Sequence, residues 1–145
     1  MPREDQAPTS NDGWNTFGRG YLPGLIGIEL GDVARERVTS RLALRTEHLA
    51  PNGYLHAATV VALADTSCGY GTVASLPDGA RGFTTIELKT NFLGTVREGA
   101  IACEATLLHG GRTTQVWDAR VTDESTTRLI ALFRCTQILL YSSRD

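Results

Sequence analysis

Two reactive side chains, His56 and Asp65, stand in a run of small apolar residues. Nearly every position between them is Ala, Val, Leu or Thr, and no polar stripe repeats every three or four residues. This pattern is typical of a helix that is buried on all sides. Burying a carboxyl group there is costly, because burial disfavours its charged form. Asp65 therefore has either a hydrogen-bonding neighbour, such as Thr66 or Ser67, or a role as a general base or nucleophile.

The spacing of His56 and Asp65 limits what the pair can do together. Nine residues separate them in the sequence, which in a helix places them about 180° apart around the axis and about 13 Å apart along it. Catalytic groups that share a proton need heavy atoms about 3 Å apart. Either only one of the two is functional, or the site is built from two subunits. His56 has the further alternative of being a buried or helix-capping histidine.

The elements that position these residues follow from the remaining pattern. Segment 35–45 alternates, with Val38, Leu42 and Leu44 on one face and arginines on the other, so it predicts a strand with one buried face. Apolar or alternating segments bounded by turn residues predict the other strands, which are 25–30, 82–92, 99–108, 112–122 and 128–141. Segment 128–141 is predicted to be a central strand of the sheet. An antiparallel hairpin is predicted for segments 99–108 and 112–122. Six strands and one helix define an α+β protein with an antiparallel sheet.

Domain organisation follows from composition along the chain. Residues 1–20 are rich in Pro, Asp, Asn, Ser and Gly, with Trp14 and Phe17 as their only sizeable apolar side chains. Such a stretch cannot form a core alone. We expect a loose leader over 1–20, followed by a single domain over 21–145, since 145 residues with 41% hydrophobic content suffice for one core.

Composition also narrows the partners and the compartment. The net charge is −2 without any block of Lys or Arg, which argues against nucleic acid as a partner. Cys68, Cys103 and Cys135 are odd in number and widely spaced, which fits reduced thiols better than a disulfide or zinc framework. No signal peptide and no apolar run of membrane-spanning length is present. We expect a cytoplasmic protein with no membrane partner, no metal and no cofactor.

A family resemblance rests on the helix start, the acid and the end of one strand. The residues that carry it are Gly53, His56, Ala57, Ala58, Asp65, Asn91 and Phe92. Over roughly residues 25–140 the chain resembles the hotdog-fold acyl-CoA thioesterases of the phenylacetate and 4-hydroxybenzoyl-CoA type. The resemblance implies a hotdog fold, in which a curved antiparallel sheet wraps round one long central helix. It also implies hydrolysis of acyl-CoA thioesters. One departure is that His-Ala-Ala replaces the family's usual His-Gly-Gly.

The resemblance also implies catalytic roles. Ala57, with His56 just before it, would direct a backbone N–H at the thioester oxygen, because N–H groups at a helix start are unpaired and favour negative charge. An alanine retains this donor but crowds the approach to it. Asp65 would activate water or attack the carbonyl carbon, and the sequence leaves both routes open. Such thioesterases are homodimers or homotetramers, in which the helix start of one subunit faces the acid of its neighbour.

Three more residues are candidates for substrate binding. Asn52 stands near the position where the family often has Asn or Gln, six residues before the histidine; Ala50 occupies that position here, and Asn52 is otherwise a helix N-cap. Thr85 resembles a strand Ser or Thr that holds the attacking water, and is otherwise a β-branched strand residue. Arg112 resembles a position used for coenzyme A phosphates, and is otherwise a solvated rim charge.

Two other functions are open to a hotdog protein. A resemblance to dehydratases and hydratases that act on acyl thioesters would require a different spacing of the histidine and the acid. That spacing is not found in this chain. A non-catalytic acyl-CoA-binding protein is the second alternative, and the replacement of His-Gly-Gly favours it. A regulatory protein of that kind would carry an added DNA-binding segment, for which twenty leader residues are too short.

Overall fold

A computed structural model describes residues 7–143 of the chain. This part contains three α-helices, one short 3-10 helix at Thr46–His48 and six strands. The bounds of the α-helices and strands are α1 Asn11–Gly18, α2 Leu22–Ile26, β1 Glu29–Ala34, β2 Arg37–Ala43, α3 Ala57–Ala74, β3 Ala80–Phe92, β4 Ala100–Gly110, β5 Thr114–Asp123 and β6 Leu129–Tyr141. The strands form one antiparallel sheet in the order β1-β2-β4-β5-β6-β3. This arrangement of a six-stranded sheet with one long helix confirms the predicted α+β hotdog fold.

The long helix α3 packs against the sheet through small residues. A Cβ atom on Gly71 would lie 2.4 Å from the indole of Trp117, so only glycine lets the helix approach β5 this closely. A helix-interior glycine costs about 1 kcal/mol relative to alanine, and here the burial of Trp117 offsets it. The opposite side of α3, at Val61, Ala62 and Asp65, is only half-buried. The prediction of a helix buried on all sides is therefore wrong for the isolated chain.

The alternating strand predicted over 35–45 is confirmed as β2. Val38 and Leu42 are fully buried against α3, whereas Arg37 and Arg41 lie on the outer face of the sheet and pair with glutamates. The hairpin prediction is also confirmed, because β4 and β5 pair antiparallel. β6 lies between β5 and β3, as expected for a strand buried along much of its length.

The strand predicted over 25–30 is wrong in its position. Residues Leu22–Ile26 form helix α2, which has a proline in its first turn and ends at Gly27 with φ 92°. Proline is pre-organised for the first helical turn, and glycine accepts the left-handed conformation that stops a helix. The strand begins only at Glu29, so Leu25 and Ile26 of the predicted strand belong to a short helix and Ile28 lies between the two elements.

The loose leader predicted over 1–20 is wrong for its second half. Residues Asn11–Gly18 form helix α1, which begins at Ser10, whose hydroxyl accepts a hydrogen bond from the N–H of Gly13 at 3.1 Å. Trp14 is only 3% exposed in the core, and the Asn15 amide bonds to both backbone groups of Leu30. The few apolar residues suffice because α1 docks on a core that the rest of the chain supplies. Residues 1–6 of the predicted leader lie outside the described part.

Strand β3 forms one edge of the sheet and carries exposed apolar side chains. Ile86 is 59% exposed, and Leu88 and Phe92 are each nearly half exposed. An edge strand of 13 residues with exposed apolar side chains offers its free edge to another chain. In the part of the chain that the structure describes, no helix is long and apolar enough to cross a membrane.

Candidate active site

The start of α3 leaves one backbone donor free. His56 is the N-cap, and its Nδ1 accepts a 2.9 Å hydrogen bond from the N–H of Ala58. The carbonyl of His56 accepts from the N–H of Thr59 at 3.0 Å and from that of Val60 at 3.5 Å. Among residues 7–143, the N–H of Ala57 has no acceptor, and Ala57 is exposed. One donor with the positive end of the helix behind it therefore faces solvent.

A second histidine, His48, anchors this helix start. Its carbonyl accepts hydrogen bonds from the His56 N–H at 3.1 Å and from the Thr59 hydroxyl at 2.8 Å. Its ring is buried, with Nδ1 accepting from the Arg45 N–H and Nε2 lying 2.7 Å from the carbonyl of Ile26. Sequence reasoning missed His48, since its burial depends on how the loop before α3 folds back and no local pattern signals it.

Asn52 is not the N-cap of α3. Its side-chain oxygen accepts a hydrogen bond from the N–H of Tyr54 at 3.1 Å, which forms a local turn ahead of the helix. The cap is His56 because the helix begins at Ala57, four residues later than an Asn52 cap would require. Asn52 itself is exposed. Its role in substrate binding stays a prediction.

Asp65 lies half-buried on α3. Its Oδ1 is buried and, in the described part of the chain, has no hydrogen-bond partner. Ser67 does not serve it, because the Ser67 hydroxyl bonds to Leu63 and Ser40. Removal of the carboxyl from water raises the pKa of Asp65. An unpaired carboxyl with a raised pKa is a better proton acceptor than a solvated one.

An apolar pocket that is open to solvent lies beside Asp65. It has a volume of about 180 Å³ and is lined by Phe17, Pro23, Asp65, Thr66, Gly69, Tyr70, Val73 and Phe83. Asp65 is the only charged residue in this lining. The pocket therefore presents one carboxyl group at the side of an apolar space.

A single chain does not bring Ala57 and Asp65 together. Both lie on α3, eight residues apart, which corresponds to about 12 Å along the helix axis. Hydrogen-bond-range chemistry needs about 3 Å. The structure thus retains the separation along the helix that the sequence spacing predicts, and one chain does not hold the two groups within hydrogen-bond range.

Thr85 lies on β3, and Arg112 lies on the connection between β4 and β5. The Thr85 hydroxyl donates to the Oε1 of Gln137 at 2.6 Å, so its proton is already engaged by a fully buried neighbour. Arg112 is exposed on the β4–β5 connection, and its carbonyl accepts a hydrogen bond from the hydroxyl of Tyr141. Sequence reasoning missed Gln137, whose Nε2 is buried and without a partner among the described residues.

Comparison with known proteins identifies the fold and the family. A six-stranded antiparallel sheet with one long helix is the arrangement of a hotdog fold. The sequence model of the thioesterase superfamily matches residues 52–130, which include the start of α3 and Asp65. The chain belongs to the thioesterase superfamily and is a thioester hydrolase.

Individual relatives agree with this assignment. The chain is 32% identical to a 1,4-dihydroxy-2-naphthoyl-CoA hydrolase of Listeria monocytogenes, over 77% of this chain and 89% of that protein. It is 27% identical to the hydrolase of the same name from Escherichia coli, over 87% and 91% of the two chains. A mutant thioesterase from Pseudomonas aeruginosa has the same fold, with a TM-score of 0.86, 24% identity, and coverage of 94% and 97%.

A further similar fold was solved with a ligand. A thioesterase protein from Streptococcus pneumoniae, crystallised with coenzyme A, superimposes with a TM-score of 0.73 and 18% identity. The match covers 81% of this chain and 89% of that one. At this identity the likeness concerns the fold alone.

Proposed function

We propose that the protein hydrolyses acyl-CoA thioesters to the free acid and coenzyme A. The observation that carries this proposal is the free N–H of Ala57 at the exposed start of α3. A thioester oxygen bound there gains negative charge during attack, and a fixed donor at a helix start stabilises that charge without reorganisation. The relatives named for an aryl-CoA substrate support coenzyme A esters of aromatic acids as the substrate class.

In the first step Asp65 acts as the base. Its carboxylate takes a proton from a water molecule, whose oxygen attacks the thioester carbon. The resulting oxyanion is held by the Ala57 N–H, and the intermediate then collapses with loss of the coenzyme A thiolate, which accepts a proton. Direct attack by Asp65 would instead give a mixed anhydride that water hydrolyses. The unpaired Oδ1 of Asp65 is available for either route.

Each complete site takes its two halves from two chains. About 12 Å along α3 separates Ala57 from Asp65, so the Ala57 N–H of one protomer acts with the partner's Asp65. A two-fold axis makes two such sites at once. The exposed apolar residues of β3 and the half-exposed side of α3 supply the surfaces that two copies would cover. We propose a homodimer, or a tetramer formed by two such dimers.

Four further residues have supporting roles in this mechanism, namely His56, Arg112, Asn52 and Thr85. His56 holds the helix start through its bond to Ala58, which makes it a positioning residue. Arg112 is exposed and offers a guanidinium to the coenzyme A phosphates. Asn52, in the loop before α3, and Thr85, on β3, contribute polar groups to substrate binding. Replacing Arg112 with Ala should raise KM for coenzyme A esters and leave kcat nearly unchanged.

Acyl-CoA binding without hydrolysis is the second candidate function. The observation that favours it is His-Ala-Ala at the helix start, since the alanine side chains narrow the approach to the Ala57 N–H. Hydrolysis of a series of acyl-CoA thioesters, followed through the free thiol released, separates the two functions. Turnover that is lost in Asp65→Asn supports the hydrolase. Tight binding of every ester without any thiol release would overturn it.

A further inference from the structure

The ring of His48 is bonded to two segments that are far apart in the sequence. It is buried, and its Nδ1 accepts a 2.9 Å hydrogen bond from the N–H of Arg45. The ring proton therefore lies on Nε2. Nε2 is 2.7 Å from the carbonyl oxygen of Ile26, the last residue of α2, and donates to it. One side chain thus closes the turn before α3 and holds the end of α2.

The backbone of the same residue holds the start of α3. The carbonyl of His48 accepts hydrogen bonds from the N–H of His56 and from the hydroxyl of Thr59. These two residues stand on either side of Ala57, whose N–H is free. The place of the His48 carbonyl therefore sets where the Ala57 N–H points. The ring of His48 fixes that carbonyl, because its bond to Arg45 closes the turn to which the carbonyl belongs.

Helix α2, at the other end of this link, lies beside Asp65. Pro23 of α2 lines the same open pocket as the acid. The carbonyl groups of the last two residues of α2 also accept hydrogen bonds from the guanidinium of Arg45, each at 3.1 Å. Carbonyl groups at a helix end have no partner within the helix. His48 and Arg45 supply those partners and so hold α2 in its place beside the acid.

We propose that His48 is a positioning residue for both halves of the active site, the Ala57 N–H and the surroundings of Asp65. This proposal rests on the proposed function, which gives the two groups their chemical roles. Because each site takes its halves from two chains, one His48 serves the donor of one site and the acid of the other. The buried ring acts through the backbone that it holds. A misplacement of about 1 Å at a catalytic group costs about 100-fold in rate.

Three substitutions of His48 test this role. His48→Ala should lower kcat by about tenfold to 100-fold and leave KM nearly unchanged, because the Ala57 donor acts on charge that develops only in the transition state. His48→Asn keeps an acceptor at the reach of Nδ1, whereas His48→Gln keeps a donor at the reach of Nε2. His48→Asn should recover more of kcat than His48→Gln, because it retains the turn that sets the His48 carbonyl.

Ser75→Ala is the matched control for an effect on stability alone. Ser75 is buried at the far end of α3, and its hydroxyl accepts a 3.0 Å hydrogen bond from the N–H of Glu36. This link also joins two distant segments, but it lies away from the start of α3. Ser75→Ala should leave kcat of the folded protein unchanged. Thiol release is measured well below the thermal unfolding temperature of each variant, so that only folded protein is compared.

The results that would overturn the role of His48 are distinct. They are a folded His48→Ala protein with wild-type kcat, and a loss of kcat in Ser75→Ala as large as that in His48→Ala. A His48→Asn protein that is no faster than His48→Gln would also overturn it, and this comparison does not require His48→Ala to fold. Absence of thiol release by the wild type with every ester would instead end the proposed function.

Mixed dimers, isolated through two different affinity tags, assign the two halves. A chain with His48→Gln and Asp65→Asn, paired with a wild-type chain, leaves one site whose Ala57 N–H comes from the altered chain. A chain with His48→Asn and Ala57→Val, paired in the same way, leaves one unimpaired site whose Asp65 comes from the altered chain. Each mixed dimer should be slower than its counterpart without the His48 substitution. A loss in only one of them would refute a role in both halves.

Discussion

The backbone N–H of Ala58 donates a 2.9 Å hydrogen bond to Nδ1 of His56. Because Nδ1 accepts this bond, the imidazole proton lies on Nε2. The side chain of His56 therefore caps the start of α3. The bond satisfies the donor next to Ala57 and leaves the Ala57 N–H as the free one. The position of the histidine one residue before that donor is thus explained by capping geometry.

Replacement of His56 tests whether its role is positional. His56→Asn retains a good N-cap and should keep most of the activity. His56→Ala should lower the free energy of unfolding by about 1 kcal/mol. It should also lower kcat more than His56→Asn does, because the helix start frays without its cap. Thermal unfolding and kcat are the measurements. An equal loss of kcat in both variants would point instead to a chemical role of the imidazole.

Asp65→Asn should remove most of the turnover while the fold is retained. An amide is nearly isosteric with the carboxyl group but cannot act as base or nucleophile, and such groups contribute about 100-fold or more. Asp78→Asn, at an exposed turn, is the matched control and should retain full activity. Circular dichroism checks the fold. A folded Asp65→Asn protein with wild-type kcat would end the catalytic assignment.

The raised pKa of Asp65 should be visible in the pH dependence of both activity and stability. The carboxylate is the active form, so kcat/KM should fall as the pH falls through a value above the ordinary aspartic acid range. The stability contributed by the protonated carboxyl is complete at pH below the unfolded-state pKa and is lost as pH rises through the folded pKa. Asp65→Asn should lack that loss. A kcat/KM profile without this inflection would argue against Asp65 as the base.

Ala57→Gly and Ala57→Val should change activity in opposite directions. Glycine opens the approach to the N–H, so the activity of Ala57→Gly should be equal or higher. The β-branched valine narrows the approach without removing the donor, so the activity of Ala57→Val should be lower. The relevant measurement is kcat/KM for the best ester, with thermal unfolding to confirm that both variants fold. Identical values for the two variants would mean that no substrate passes the start of α3.

Mixing of subunits should restore activity from two impaired parents. Co-expression of Asp65→Asn with Ala57→Val gives mixed dimers, in which one of the two sites has both native groups. The activity of purified mixed dimers should approach half of the wild-type value, as one of two sites is intact. Each parent assembled alone is the control. A fully active monomer at high dilution, or mixed dimers without activity, would contradict the shared site.

Patterns of side chains along the chain were enough to predict most of the architecture. Alternation in β2 and the apolar run of β6 each report burial directly, because a strand residue faces either the core or the solvent. The predicted position was wrong where the conformation of a short element depends on neighbouring residues. Leu25 and Ile26 belong to helix α2 and not to the strand predicted over 25–30, since a short apolar run fits either state until Pro23 and Gly27 fix the backbone.

The sequence by itself determined that an acid stands in an apolar helix and that His56 and Asp65 cannot meet within one chain, because helix geometry depends only on residue spacing. The tertiary structure alone decided which groups surround them. The buried anchor His48, the free N–H of Ala57 and the pocket that Phe17 and Asp65 share depend on contacts between segments far apart in sequence. Such contacts follow from the packing of the whole chain, and local patterns do not encode them.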